Sequence, residues 1–387
     1  MNSGTGSYTT VRKGTLMSLK KAGVVKFAVV GIGNIGSRHL AVIDAEPRAR
    51  LVDICDIRAD VCEKFSELYN VPAQIEYSEM LRKTSADVVN ICTPHGLHAP
   101  MAIEAANAGK DILVEKPMAL TVEDTYRMDE AARKNGVRLM VVWQNRHNVP
   151  IKLAKKALED NALGQVYIVH CNVLWNRPQS YYDRSSWLGR KELEGGPLYT
   201  QCSHFIDLLI YMFGDIQRVN SIGETKSHSI EIEDCGIAMM KFKSGVMGTL
   251  SYTNCVYNKN YEGSITIVGE RGTIKIGGSY LNTIDFWDVQ SYPLPHEVDF
   301  NDRPNNYAKY KGTSSNHNKV IAEVVADLLD GKKRVAGWES GHRVVEAIQM
   351  IYRSQYRNGE RITTLQMNEE NSHGMPHVEK LPLAKGG

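Results

Sequence analysis

Long apolar runs are missing from this 387-residue chain: no stretch approaches the roughly 20 residues that a membrane-spanning helix needs, and the first 26 residues are polar, with no apolar core of the secretory-signal kind. Cysteine is scarce. Seven cysteines, an odd number with no Cys-x-x-Cys pair, argue against a disulfide framework and for reduced thiols in a cytoplasmic protein. No His/Cys cluster has zinc-ligand spacing, so no metal is expected. Excess charge of either sign is also absent. With 46 Lys and Arg against 44 Asp and Glu, the net charge of +2 offers no footprint for nucleic acid or an anionic membrane. What remains is a globular balance, 42% hydrophobic and 23% charged, in a chain longer than one core usually serves. The expected organisation is a flexible leader over 1–23, one domain over 24–146, a second over 147–365 and a mobile tail over 366–387.

What is there begins with Gly31-Ile32-Gly33-Asn34-Ile35-Gly36, directly after the apolar run Phe27-Ala28-Val29-Val30. Asp56 closes the next apolar run, twenty positions past the last glycine. That is the layout of a dinucleotide-binding strand, loop, helix and strand. The first glycine permits the tight turn, the second lets backbone approach a pyrophosphate, the third lets the helix pack close to the sheet, and the helix N-terminus around Asn34 and Ile35 offers free N–H groups to phosphate. A carboxylate at Asp56 can accept from both ribose hydroxyls and would repel a 2′-phosphate, favouring NAD over NADP. Arg58, two positions on, tempers that preference.

Strands and helices then alternate: a helix near 60–69, the strand Asp87–Cys92, the helix His98–Ala108, the strand Asp111–Glu115, the helix Thr121–Asn135 and the strand Arg138–Trp143. Apolar strands separated by amphipathic helices require a parallel sheet covered on both faces. Past a helix near Pro150–Asp160 the period changes to two, over Val166–Leu174, Arg218–Thr225, Gly236–Phe242, Val246–Tyr252 and Ser264–Val268. One apolar helix near Leu198–Phe213 interrupts these strands, and helices near Asn318–Asp330 and Gly341–Asn358 close the fold. The fold class is therefore α/β plus α+β: an N-terminal Rossmann doubly wound parallel sheet, then a C-terminal domain on a largely antiparallel sheet.

Glu115-Lys116-Pro117 ends the fifth strand of the first domain, where open α/β sheets present side chains to a ligand. Taken with the glycine loop, Cys92-Thr93-Pro94-x-x-x-His98, Gln144-Asn145-Arg146 and the segment from Gly195-Gly196 to His204-x-x-Asp207, it resembles the Gfo/Idh/MocA family of nicotinamide-dependent sugar oxidoreductases over roughly residues 24–365. The resemblance implies NAD as cofactor, held by the glycine loop, Asp56, Thr93, Pro94, His98, Glu115 and Gln144. Trp175-Asn176-Arg177-Pro178-Gln179-Ser180-Tyr181-Tyr182-Asp183, followed by Trp187 and Glu194-Gly195-Gly196, is similar to the subgroup of UDP-N-acetylglucosaminuronate 3-dehydrogenases, which oxidise the sugar C3 hydroxyl in making bacterial surface polysaccharides. That resemblance allows the reduced cofactor to be reoxidised in place by 2-oxoglutarate.

Oxidising a secondary alcohol sends hydride to nicotinamide and frees a hydroxyl proton, so the site needs a proton acceptor. Lys116 serves if its pKa falls well below the free value of about 10.4, which burial promotes. His204 starts nearer neutrality, on an apolar helix where a histidine can equally be a satisfied core residue. The resemblance puts the two on either side of the reacting carbon and leaves open which takes the proton. Many family members carry aspartate four residues before this histidine, whereas this chain has Thr200. For a nucleotide-linked uronate, Arg177 and Arg184, with Tyr182 between them, offer bidentate partners, and Asn316-His317 opens a helix that can meet an anion. The same loop could instead face another subunit. The expected partners are a small sugar nucleotide and further copies of the chain, as a dimer or tetramer through the C-terminal sheet. Alternatives are a dehydrogenase of inositol or another polyol, an NAD-dependent glycosidase, and a non-catalytic sugar-sensing regulator.

Overall fold

The computed structural model describes residues 23–295, 304–306 and 311–367, with backbone alone for 304–306 and 311–314. Residues 1–22 of the expected leader and 368–387 of the expected tail lie outside the described residues. Met367 is fully buried in the second domain's core.

Six strands, β1 (Val25–Val30), β2 (Ala49–Cys55), β3 (Ala73–Gln74), β4 (Val88–Ile91), β5 (Asp111–Val114) and β6 (Leu139–Val141), form one sheet in the order β3-β2-β1-β4-β5-β6. All its pairings are parallel. Side chains are buried on both faces, which is why the strands read as continuous apolar runs. Phe27, Val29 and Ile54 pack on one side with Leu40 and Ile43, while Ala28, Val30, Val89 and Ile91 pack on the other with Ala99, Ala102 and Ala105. The helix His317–Asp330 lies within the stretch expected to form the second domain, yet its Ile321, Val324 and Val325 complete the first of these layers. Strand order reverses between β1 and β4, so a crevice opens beyond their C-terminal ends, where ligands bind in such sheets.

The second sheet has eight strands: β7 (Val166–Leu174), β8 (Ile216–Glu224), β9 (Cys235–Phe242), β10 (Met247–Thr253), β11 (Glu262–Gly269), β12 (Gly272–Gly277), β13 (Thr283–Val289) and β16 (Ile362–Thr363). A two-stranded β14 (Pro304–Asn306) and β15 (Lys311–Ser314) lies apart from it. All pairs of the large sheet are antiparallel except β7 with β10. One face packs beneath the helices Ser203–Phe213 and Trp338–Tyr356. The expected two-domain fold class is therefore present. One element differs in a way that matters for the site: the helix expected near Leu198–Phe213 is broken at Gln201–Cys202 into Pro197–Thr200 and Ser203–Phe213. The carbonyl of Thr200 accepts a hydrogen bond from Lys116 Nζ at 2.7 Å, a side-chain partner taken at the end of the first helix.

Candidate active site

The glycine loop has the geometry that a dinucleotide needs. Gly31 takes φ +84°, and a Cβ there would fall 2.8 Å from the Cys92 carbonyl. At Gly36 a Cβ would fall 1.9 Å from the Gly31 carbonyl, so only glycine lets the helix Asn34–Asp44 start this close to β1. Beside Gly33 a Cβ would meet nothing within 4 Å. That open, exposed stretch at a helix N-terminus has the space and the free N–H groups that a pyrophosphate needs. Asp56, buried at the end of β2, accepts the Ile32 N–H at 2.7 Å and so ties the loop to the sheet. Burial pushes this carboxyl up, but the hydrogen bonds of the Arg58 side chain and of the Arg58 and Ile32 N–H groups outweigh it and hold the pKa below the usual carboxylate value. Arg58 reaches both oxygens, with Nε 2.9 Å from one and Nη2 2.9 Å from the other, so a ribose binding here must share Asp56 with that guanidinium.

Thr93 and Pro94 follow β4 directly into the crevice. His98 does not present a nitrogen there: Nδ1 lies 2.7 Å from the Pro117 carbonyl and Nε2 2.9 Å from the Thr93 carbonyl, so the ring braces two backbone segments. Glu115 ends β5 in the interior. Its Oε1 accepts from His39 Nε2 at 2.8 Å, its Oε2 from the Lys116 N–H at 3.1 Å, and His317 Nε2 stands 3.6 Å away. Although burial acts the other way, the imidazoles of His317 and His39 that face it, His39 through a hydrogen bond, hold Glu115 well below the carboxylate range. His317 therefore lies against Glu115 and His39, and neighbouring Asn316 donates to Asn148 Oδ1 at 2.9 Å. His39 was missed in the sequence. Its only signal is a polar residue on the buried face of the first helix. A second histidine-acid group, His228, Asp234 and Cys255, is likewise a hydrogen-bonded loop anchor, since Asp234 accepts the N–H groups of Lys226, Ser227 and His228.

Lys116 and His204 lie close enough for the charge of the lysine to act on the imidazole. Burial lowers the lysine's pKa, against the opposing pull of the Glu115 and Glu194 carboxylates. Burial, and then the charge of Lys116, push His204 well below the usual imidazole value, so its ring is neutral near pH 7. Gln144 Nε2 donates to His204 Nε2 at 3.1 Å, while His204 Nδ1 is buried with no hydrogen-bond partner among the described residues. An arginine two residues past Gln144 fixes the helix carrying His204: Arg146 forks onto Asp207, its Nε 2.8 Å from Oδ2. Two sequence motifs sixty residues apart are thereby joined across the domain boundary.

Of the residues expected to hold substrate, Arg177 and Tyr182 are buried beside this chamber and Arg184 is exposed. Arg177 Nη1 donates to the Asn176 carbonyl at 2.6 Å and to Asn260 Oδ1 at 3.1 Å, and its guanidinium lies 5.2 Å from the Trp175 ring. Asn254 Nδ2 donates to the Tyr182 hydroxyl at 2.9 Å. The Arg184 guanidinium stacks on Tyr181 at 4.3 Å.

Comparison with known proteins agrees with the two-domain fold. Residues 25–142 match the model of the oxidoreductase family with an NAD-binding Rossmann fold, and residues 151–275 match the GFO/IDH/MocA C-terminal domain. The WlbA dehydrogenase of Bordetella pertussis, solved with NADH and UDP-GlcNAcA, is 36% identical, with a TM-score of 0.79 over 88% of this chain and 98% of that one. The WlbA dehydrogenase of Chromobacterium violaceum, solved with the same two ligands, is 34% identical, with a TM-score of 0.81 over 88% of this chain and 96% of that one. Levoglucosan dehydrogenase of Pseudarthrobacter phenanthrenivorans is 29% identical over 48% of this chain, a match spanning 54% of that protein's length. With both domains matched in order, the chain belongs to the Gfo/Idh/MocA oxidoreductase family, its first domain being the NAD-binding Rossmann unit.

Proposed function

We propose that this protein oxidises the C3 hydroxyl of a UDP-linked N-acetylglucosaminuronic acid to the 3-keto sugar, with NAD as oxidant, in the cytoplasm. The observation that carries the reading is a neutral-tending pair, half-buried Lys116 and buried His204, at the C-terminal end of an NAD-binding sheet and beside a buried arginine. Likeness over 88% of the chain to dehydrogenases solved with NADH and UDP-GlcNAcA supports the substrate class.

Bound NAD supplies the hydride acceptor. The glycine loop takes its pyrophosphate and Asp56 its ribose diol. Lys116 Nζ, brought below its ordinary pKa by burial, takes the hydroxyl proton as the neutral amine while the Thr200 carbonyl keeps it in place. His204, held by Gln144, turns its unpartnered Nδ1 to the substrate and orients the same hydroxyl. Arg177 offers the anionic part of the sugar nucleotide a charge that is already desolvated.

Exposed Ile222, Ile237, Met239, Met247 and Phe286 lie on β8, β9, β10 and β13 of the second sheet. A second copy of the chain, covering that apolar surface, would make a dimer or tetramer, which light scattering of the eluted protein measures. The test of function is to mix the protein with NAD and UDP-N-acetylglucosaminuronate and identify the sugar product by mass spectrometry. A 3-keto product formed together with NADH supports the reading, and recovery of unchanged sugar nucleotide overturns it.

A further inference from the structure

We propose that Glu194 is a positioning residue for Lys116, placing a negative charge beside the lysine through their shared partner Thr200. The inference rests on the proton-acceptor reading of Lys116 given above. Its starting point is the helix break. Pro197–Thr200 and Ser203–Phe213 are separate helices, and Thr200 turns its two oxygens to different partners. Its carbonyl accepts from Lys116 Nζ at 2.7 Å, and its hydroxyl donates to Glu194 Oε1 at 2.8 Å. The other Glu194 oxygen accepts the Gly189 N–H.

Glu194 is 1% exposed, and a buried carboxylate is costly unless paired and hydrogen-bonded. Burial pushes its carboxyl up, and the Gly189 N–H, the Thr200 hydroxyl and the nearby charges of Arg177 and Lys116 oppose that push in favour of the anion. Local backbone explains how a carboxylate comes to sit there. The two glycines that follow it take φ +84° and +123°, and a Cβ would fall 2.6 Å from the Tyr199 ring at Gly195 and 2.1 Å from the Tyr352 hydroxyl at Gly196. Only a Gly-Gly turn delivers Glu194 into the chamber and starts the Pro197 helix beneath it.

The groups facing Lys116 are the carboxylates Glu115 and Glu194, the Arg177 cation, the Cys202 thiol and the imidazoles of His95, His98 and His204. Burial favours the neutral thiol and the neutral imidazoles, so the groups whose charge acts on the lysine are the carboxylates Glu115 and Glu194 and the Arg177 guanidinium. Glu115 already serves His39 and His317, while Glu194 is linked to the lysine through a single residue. Tyr182 and Glu233 also face Glu194. Burial drives the Lys116 ammonium toward the neutral amine and Glu194 opposes it, so removing the charge of Glu194 must lower the pH at which Lys116 titrates.

The experiment is an NMR titration of the lysine ε-carbons in the full-length protein, the Lys116 signal being identified by its loss in Lys116→Met. Glu194→Gln keeps the shape and removes the charge, and the Lys116 midpoint should fall by about one pH unit or more. Glu194→Asp keeps the charge but withdraws it by one methylene, giving a smaller fall. A role in packing alone would lower the melting temperature and leave the midpoint in place. An unmoved midpoint in folded Glu194→Gln overturns the proposal, as does an unmoved midpoint in Glu194→Asp should Glu194→Gln fail to fold. Failure of the underlying reading looks different: Lys116→Met would then transfer hydride from UDP-N-acetylglucosaminuronate in a single turnover at the ordinary rate, whatever the titration shows.

Discussion

Replacing Lys116 by methionine separates chemistry from folding at this site. The two side chains have similar length and apolar bulk, so the core around β5 keeps its packing, and a cation that is costly to bury is removed. The loss on the other side is one hydrogen bond, 2.7 Å from Nζ to the Thr200 carbonyl, which leaves a half-buried acceptor unmet at a cost of at most about 1–3 kcal/mol. These terms oppose each other, and the melting temperature should change little. The glycine loop and Asp56, proposed above to hold NAD, lie on other strands, so NAD binding should persist. Turnover should not. A positioned acid or base contributes about 10²–10⁴-fold, so the barrier should rise by about 2.7–5.5 kcal/mol. The assay is single-turnover NADH formation in a stopped-flow instrument, with NAD affinity measured in parallel. Hydride transfer at the ordinary rate in a folded, NAD-binding Lys116→Met protein would refute the assignment and shift the proton to His204 or to water.

Three further outcomes follow from the same geometry. Asp56→Ala should weaken NAD by about 1–3 kcal/mol through lost charged hydrogen bonds and, by releasing the Arg58 fork, narrow the preference over NADP; equal binding of both cofactors by the unaltered protein would contradict the role given to Asp56. Arg177→Ala should cost about 1.5–3 kcal/mol in specificity for a uronate over its uncharged analogue, seen as a selective fall in kcat/KM. His95, His98, His204 and His317 all titrate below the usual imidazole value, chiefly through burial. The unfolded chain therefore takes up protons near pH 6.5 before the native one does, and each imidazole withdraws up to about 1.4 kcal/mol of stability per pH unit as pH falls from there toward the native values; a melting temperature that is flat from pH 7.5 to 5.5 would show that these rings are not buried neutral.

Sequence periodicity was most informative where one physical rule dominates. Strands buried on both faces, such as β1 and β4, read as apolar runs, and the strand expected at Val166–Leu174 is β7 itself, because alternation persists while one sheet face is covered. It was least informative where tertiary contact decides. The two-residue β3 has no period to detect, and a register shift between Lys275 and Ile276 spoils the alternation of β12 against β13. The break at Gln201–Cys202 has no local cause such as proline or glycine; there Lys116, 84 residues earlier, bonds the Thr200 carbonyl. For the same reason the spacing from Thr200 to His204 suggested one continuous turn that the fold does not contain, and Glu194, whose charge enters the chamber through a Gly-Gly turn, carried no signal beyond belonging to a motif. Asp56 was legible from spacing alone, whereas the Arg58 fork that occupies it depends on rotamers no pattern encodes.

The central claim is a sugar-nucleotide uronate oxidised by NAD, and the direct measurement is NADH formation on adding UDP-N-acetylglucosaminuronate, UDP-N-acetylglucosamine or myo-inositol to the protein with NAD, in separate reactions. NADH should appear with the uronate and be about 10- to 100-fold less favoured with the sugar lacking the carboxylate, the worth of one charge-assisted contact. NADH formed preferentially from inositol, or from neither UDP-sugar, would contradict the account and return the chain to its family without this substrate.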